Sequence, residues 1–142
     1  EKWRNRVFFH PLVANAELVS RIAEHDIGFA GEMKFCRSRD LTISNKILHY
    51  LLGGLAVVAS DTKGQQEVAS KAPGAVLLYT SGDPRQLAER IDSLASSGLN
   101  LSSARAASLK AAEETFCWEK QEPLLVRSVM SGLTATAARK AF

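Results

Sequence analysis

The stretch that decides the fold is TISNKILHYLLGGLAVVASD, residues 42–61. Its first half carries apolar residues with helical spacing, Ile47, Leu48, Leu51 and Leu52. Its second half, residues 55–60, is a continuous apolar run, which is typical of a strand buried on both faces of a parallel sheet. The stretch therefore predicts a helix that leads directly into a buried strand.

Three other short apolar runs have the same character, at residues 6–10, 26–30 and 75–80. Helical patterns separate the four runs, and three further helical segments follow the last one, which gives the order β-α-β-α-β-α-β-α-α-α. Strands that alternate with helices indicate βαβ units with right-handed crossovers. The predicted fold class is α/β: a Rossmann-like parallel sheet of about four strands, with helices on both faces and a helical C-terminus.

Capping residues predict several helix boundaries. Asn15 is a candidate N-cap of the first helix, and Asp83, followed by Pro84 and Gln86, has the pattern of a capping box. Gly98 is predicted to end the helix that begins after Asp83. Two helices are predicted after it, at about residues 102–116 and 118–132, and residues 134–142 are expected to fray.

Composition indicates an ordinary globular domain of 142 residues with a net charge of +3. Basic and aromatic residues are not interleaved in a cluster, so no nucleic-acid partner is expected. Cys36 and Cys117 are expected to be reduced thiols of a cytoplasmic protein. No apolar run approaches the roughly 18 residues of a membrane span. The abrupt start, without Met, suggests a piece of a longer polypeptide.

The loop at residues 31–44 is the first candidate site. Ligands of open α/β sheets bind at the carboxyl ends of the strands, and 14 residues are many for a βα connection. This loop ends at a helix start, where free N–H groups and the helix dipole favour an anion. The candidate residues there are the capping residues Thr42 and Ser44 together with Asn45, Lys46 and His49. Spacing alone leaves open whether they bind an anionic ligand or form a solvated first turn.

Other residues at the predicted sheet edge each have two possible roles. Gly64, Gln65 and Gln66 open the next helix, where Gly64 would let backbone N–H groups approach a phosphate, or they form an ordinary turn. Glu32 could orient a sugar hydroxyl or be a surface charge. His10 could contact a ligand or lie in a turn. The sequence contains no metal-ligand spacing and no nucleophile motif.

The run HDIGFAGE…SRDLTISNKILHYLLGGLAVVASDTKGQQEV resembles the nucleotide-sugar-binding half of group 1 glycosyltransferases with the GT-B fold. The matching residues are Asp26, Ile27, Gly28, Asn45, Lys46, Tyr50, Gly54, Val57, Val58, Ser60 and Asp61. Phe116, Trp118 and Glu119 resemble the "fsWe" ending of that family. The resemblance extends over about residues 7–133, and its central part is the most specific.

The resemblance implies a hexosyltransferase that transfers a sugar from a nucleoside-diphosphate sugar to an acceptor, usually with retention of configuration and without a metal ion or other cofactor. Residues 1–134 would be its donor-binding domain and residues 135–142 a tail. An acceptor domain of the same polypeptide would be the partner, and a lipid-linked acceptor would bring the parent enzyme to a membrane surface as a peripheral protein. Glu32 and Lys46 would be catalytic. The substrate-binding residues would be Thr42, Ser44, Asn45, His49, Gly64, Gln65 and Gln66.

Three departures from the family pattern qualify the resemblance. Many members carry a Glu-x7-Glu pair, whose two positions fall on Leu41 and His49 here, so that Glu32 would be the retained acid of a branch with "E…NK". Ala56 replaces a proline. The first strands of the family's domain are absent, so the fragment is not expected to catalyse transfer alone. The alternative is a non-catalytic Rossmann-like interaction module.

Overall fold

Three parallel strands form an open sheet: β1 (Ile27–Ala30), β2 (Ala56–Ser60) and β3 (Val76–Tyr79). Their order in the sheet is β1-β2-β3, with Ala30 opposite Ala59 and Ser60 opposite Tyr79. The computed structural model describes residues 4–140, with side chains as far as residue 133. The α/β class and the parallel sheet predicted from the sequence are confirmed.

Seven α-helices form in the described part of the chain. They are α1 (Leu18–Ile22), α2 (Arg37–Leu41), α3 (Asn45–Leu52), α4 (Lys63–Lys71), α5 (Pro84–Ala95), α6 (Gly98–Ala111) and α7 (Trp118–Lys140). A 3₁₀ turn (Asn15–Glu17) precedes α1, and a π-helical turn (Ala112–Phe116) links α6 to α7. No helix in the described range is both long and apolar enough to cross a bilayer.

The central strand β2 is fully buried because helices cover both faces of the sheet. Val57 and Ala59 pack with α3 and α4 through residues such as Ile47, Leu51 and Val68. Val58 and Ala56, which point to the opposite face, pack with α5 and α6. The continuous apolar run at residues 55–60 therefore has the meaning that the sequence predicts: both faces of this strand are core.

The strand predicted at residues 6–10 does not form. Val7, Phe8 and Phe9 are exposed and make no pairing with β1 or with any other described strand. A strand needs a partner for its backbone hydrogen bonds, and Pro11 lacks an N–H to contribute. The apolar run alone did not distinguish a strand from an irregular segment. The sheet formed by the described residues therefore has three strands, where about four were predicted.

Several predicted helix ends also move. Asp83 caps α5 as predicted, but Gln86 accepts a hydrogen bond from the N–H of Thr80 and does not complete a capping box. Gly98 begins α6, because Ser97 caps that helix by accepting from the N–H of Asn100. Asn15 forms no cap and lies in the 3₁₀ turn. The last helix, α7, continues past the predicted end at residue 132, to Lys140.

Candidate functional site

Polar residues that follow the three strands meet at the carboxyl edge of the sheet. The N–H of Glu32, two residues after β1, donates to the hydroxyl of Ser60 at 2.8 Å. Ser81, after β3, donates its hydroxyl to the carbonyl of Glu32 at 2.8 Å and its N–H to Asp61 at 2.9 Å. These bonds join the loops after all three strands into one polar cluster. We call it the crevice below, because open α/β sheets bind ligands in a crevice at this position.

Two ion pairs lie in this crevice. Lys46 at the start of α3 contacts the Glu32 carboxylate, with an Nζ–Oε1 distance of 2.8 Å. Lys34 contacts Asp61 with the same Nζ–Oδ1 distance. The Glu32 side chain is only 16% exposed whereas that of Lys46 is 51% exposed, so the ammonium still faces solvent. An ammonium has three donors, and two of those on Lys46 remain for a ligand.

The crevice shifts two pKa values. Burial acts to raise the pKa of Asp61, but the Lys34 ammonium and the Ser81 N–H outweigh it, so this pKa lies below its ordinary value. Burial and the carboxylates of Asp61 and Glu32 raise the pKa of Tyr79 above its ordinary value. Asp61 therefore remains an acceptor, and the Tyr79 phenol remains protonated and able to donate a hydrogen bond.

The N-terminus of α3 has no side-chain cap. Ser44 occupies the N-cap position, but its side chain makes no capping hydrogen bond, and its buried Oγ has no partner among the described residues. Asn45 is exposed at the first helical position. The first N–H groups of α3 thus keep unused donor capacity, as the sequence-based hypothesis of an anion site requires.

The N-terminus of α4, by contrast, is occupied by the protein itself. The Thr62 hydroxyl accepts from the N–H of Gln65, and the Asp40 carboxylate accepts from the N–H of Lys63 at 3.1 Å. A Cβ on Gly64 would lie 2.3 Å from the carbonyl oxygen of Thr42. The sequence predicts that Gly64 leaves room for a phosphate next to the backbone. In the structure the backbone of Thr42 occupies that space.

Of the remaining predicted site residues, one is buried in the crevice and the other three lie around it. Gln65 is fully buried, with its Oε1 3.4 Å from the Ser60 hydroxyl, so it belongs to the crevice. Gln66 is exposed and donates to the carbonyl of Asp61. The Thr42 hydroxyl donates to the carbonyl of Ser38, four residues earlier. His49 is partly buried one turn into α3, about 6 Å along the helix from Asn45.

His10 lies away from the crevice, contrary to the sequence prediction that it ends a strand at the same edge. Its ring contacts that of His25 with 5.9 Å between centroids, and His25 precedes β1 at the amino end of the sheet. Within the described residues, no three His, Cys, Asp or Glu side chains are grouped so that they could hold a metal ion. Cys36 and Cys117 are free thiols, as predicted.

Sequence reasoning did not select three residues that build the crevice: Ser81, Asp40 and Lys34. Ser81 comes directly after a predicted strand, which is the signal that would have identified it. Asp40 and Lys34 gave no such signal, because their partners lie more than 20 residues away. Their contacts depend on how the loop at residues 31–44 folds back over the sheet edge.

The fold and the site define an α/β protein with a polar, ion-paired crevice at the carboxyl edge of a parallel sheet. Comparisons of this chain with protein-family models, with curated proteins and with solved structures find no match.

Proposed function

We propose that this chain is the donor-binding part of a cytoplasmic glycosyltransferase that transfers a sugar, with retention, from a nucleoside-diphosphate sugar to an acceptor. The observation that carries the proposal is the contact between Glu32 and Lys46, 2.8 Å apart, beside the uncapped start of α3. The resemblance of residues 7–133 to group 1 glycosyltransferases supports it, because that resemblance assigns the diphosphate to this helix start.

In this scheme the donor diphosphate lies at the start of α3. Lys46 offsets its charge, and the free N–H groups of the first turn donate to its oxygens together with the Ser44 hydroxyl. As the bond from the sugar to the diphosphate breaks, negative charge grows on the leaving diphosphate, and fixed donors stabilise that charge. Glu32 holds Lys46 in place and has a second carboxylate oxygen for a sugar hydroxyl.

His49 and Gln65 are assigned to the two ends of the donor. His49 is one turn further along α3, where it is assigned to the ribose. Gln65 shares the Ser60 hydroxyl with the N–H of Glu32 and is assigned to the sugar side of the crevice. The acceptor and the domain that binds it are outside this scheme, and the chain is proposed as a donor-binding module that does not transfer sugar by itself.

The proposal is tested by titrating UDP-, GDP- and ADP-sugars into the chain by isothermal calorimetry. Lys46→Ala and Asn45→Ala are expected to weaken binding of the preferred donor, Lys46→Ala by about tenfold or more, because a charged hydrogen bond contributes about 1.5–3 kcal/mol. Lys110→Ala, at an exposed position in the last turn of α6, is the matched control. Donor binding that both site variants leave intact would disprove the helix-start scheme.

A second candidate function is a non-catalytic interaction module. The observation that favours it is a set of exposed apolar side chains on α7, Leu124, Leu125, Val126 and Val129. Such a surface is typical of a helix that packs against a partner. Thermal unfolding separates the two candidates, since a donor that binds the folded chain raises its melting temperature by mass action, and an interaction module shows no such rise.

A further inference from the structure

We propose that Ser81 is a positioning residue, which fixes the backbone of Glu32 so that the Glu32 carboxylate stays in contact with Lys46. This inference rests on the proposed function and goes beyond it, because the residues assigned to the donor lie after β1, at the start of α3 and in α4, whereas Ser81 follows β3. Ser81 is not assigned a contact with the donor, and it acts through Glu32.

The turn after β3 gives Ser81 a fixed place. The N–H of Asp83 donates to the carbonyl of Thr80 at 2.9 Å, which closes a β-turn around Ser81. Gly82 has a φ of +87° at the third position of this turn, a conformation that a type II turn requires there and that glycine adopts without strain. The N–H of Thr80 also donates to the Gln86 side chain on α5. Ser81 is therefore held between two residues that the turn itself fixes.

Ser81 makes two hydrogen bonds from this turn to other parts of the sheet edge. Its hydroxyl donates to the carbonyl of Glu32 at 2.8 Å, and its N–H donates to Oδ1 of Asp61 at 2.9 Å. The same Asp61 oxygen contacts the Lys34 ammonium at 2.8 Å. Because Lys34 lies two residues after Glu32, the loop after β1 is attached to Ser81 at two points, directly at the Glu32 carbonyl and indirectly through Asp61.

The backbone of Glu32 is bound at both of its polar groups. Its N–H donates at 2.8 Å to the hydroxyl of Ser60, which is fully buried at the end of β2, and its carbonyl accepts from Ser81. The Glu32 carboxylate contacts the Lys46 ammonium, also at 2.8 Å. Fixing a backbone costs conformational entropy, and in this arrangement folding meets that cost before a donor binds. The contact of Glu32 with Lys46 is therefore preorganised by serines that follow or end the other two strands.

A positioning role can be distinguished from a purely structural one, because the group that accepts from Ser81 is a backbone carbonyl. Glu32→Ala keeps this carbonyl and removes only the carboxylate. If the hydrogen bond serves stability alone, loss of the Ser81 hydroxyl has the same effect with or without the carboxylate. If the bond positions the carboxylate, loss of the hydroxyl affects donor binding only while the carboxylate is present.

The positioning role is tested by calorimetric titration of the full chain with UDP-glucose, GDP-mannose and ADP-glucose. Ser81→Ala is expected to lower the affinity for the probe that binds by about three- to tenfold, because the loop is then ordered only on binding. Ser81→Thr keeps a hydroxyl and is expected to bind within about twofold of the wild type. Ser93→Ala is the matched control, because the exposed Ser93 hydroxyl also donates to a carbonyl at 2.8 Å, that of Arg90 within α5.

The same comparison in the Glu32→Ala background isolates the positioning role. There, Ser81→Ala is expected to cause no further loss of affinity, whereas urea unfolding should show a similar loss of stability in both backgrounds. An equal loss of affinity in both backgrounds would show that Ser81 acts only on the stability of the fold, and the positioning role would be overturned. Wild-type affinity in Ser81→Ala would also overturn it, while the proposed function would stand.

Exchange of the Glu32 amide hydrogen, measured by NMR, tests the positioning without any donor. This hydrogen is expected to exchange faster in Ser81→Ala and at the wild-type rate in Ser81→Thr, because a loosened carbonyl also loosens the N–H that donates to Ser60. If none of the three probes binds the wild-type chain, the proposed function fails, and the exchange rate decides on Ser81. Unchanged exchange in Ser81→Ala would overturn the positioning role.

Discussion

One carboxylate oxygen of Asp61 contacts two loops at the sheet edge. It accepts from the Lys34 ammonium at 2.8 Å and from the Ser81 N–H at 2.9 Å. Together these contacts lower the pKa of Asp61 in the folded chain even though burial opposes the shift. A group whose pKa is lower folded than unfolded stabilises the fold while it is ionised.

The pH dependence of stability follows from this shift. The contribution of Asp61 is complete above its unfolded pKa of about 3.9 and is lost as the pH falls through the lower folded pKa. Asp61→Asn should therefore destabilise the chain at about pH 7, and this effect should diminish as the pH falls below about 3.9. Urea unfolding of both proteins across this range measures the difference, and a gap that stays constant with pH would contradict the assignment.

At the scale of elements, the loop at residues 31–44, called the edge loop, depends on contact between two backbones. A side chain on Gly64 would collide with the Thr42 carbonyl oxygen at 2.3 Å, and neither the helix nor the loop backbone can yield without moving the other. The loop carries α2 and its arginines and leads directly into the start of α3. A change at Gly64 should thus disturb the crevice although Gly64 need not touch a ligand.

Gly64→Ala is expected to destabilise the fold by about 1–3 kcal/mol, as overpacking of a buried position does. It should also make the edge loop more susceptible to cleavage by trypsin at Arg37 and Arg39, because the loop loses its close backbone contact with α4. Gly98→Ala is the control, since a Cβ there meets no atom within 4 Å. Equal stability and equal proteolysis of the two variants would show that the contact is not restrictive.

At the scale of the whole molecule, side chains of α6 bind residues that precede the first two strands of the sheet. Arg105 donates to the carbonyl of Gly54 at 3.1 Å and pairs with Asp26 at 2.7 Å. The fully buried Ser108 donates to the carbonyl of Leu55 at 2.6 Å. The amino ends of β1 and β2 are therefore held by a helix more than 50 residues later, which makes the three-stranded sheet depend on the chain as far as α6.

Ser108→Ala should lower the free energy of unfolding by about 1–3 kcal/mol, because the buried Leu55 carbonyl loses this donor. Ser103→Ala on the exposed side of the same helix should change it by less than about 0.5 kcal/mol. Chemical denaturation of the two variants gives the comparison. A loss no larger for Ser108→Ala than for its control would mean that α6 is held by apolar packing alone.

What the sequence determined by itself was the set of elements whose signals are local. The continuous apolar run of β2, the helical spacing of α3 and the Asp83–Pro84 start of α5 each act within a few residues, and all three elements form where they were predicted. The run at residues 6–10 carried the same kind of signal without forming a strand. Strand formation also requires a neighbouring backbone, which a local pattern does not report.

The tertiary structure alone decided how the candidate site is arranged. Glu32 and Lys46 were proposed separately, and only the folded chain brings them to 2.8 Å. Of the two helix starts that the sequence proposed as anion sites, the structure leaves that of α3 open and fills that of α4 with Asp40 and the backbone of Thr42. Such contacts join residues distant in sequence, so they follow from the packing of whole elements and leave no local pattern.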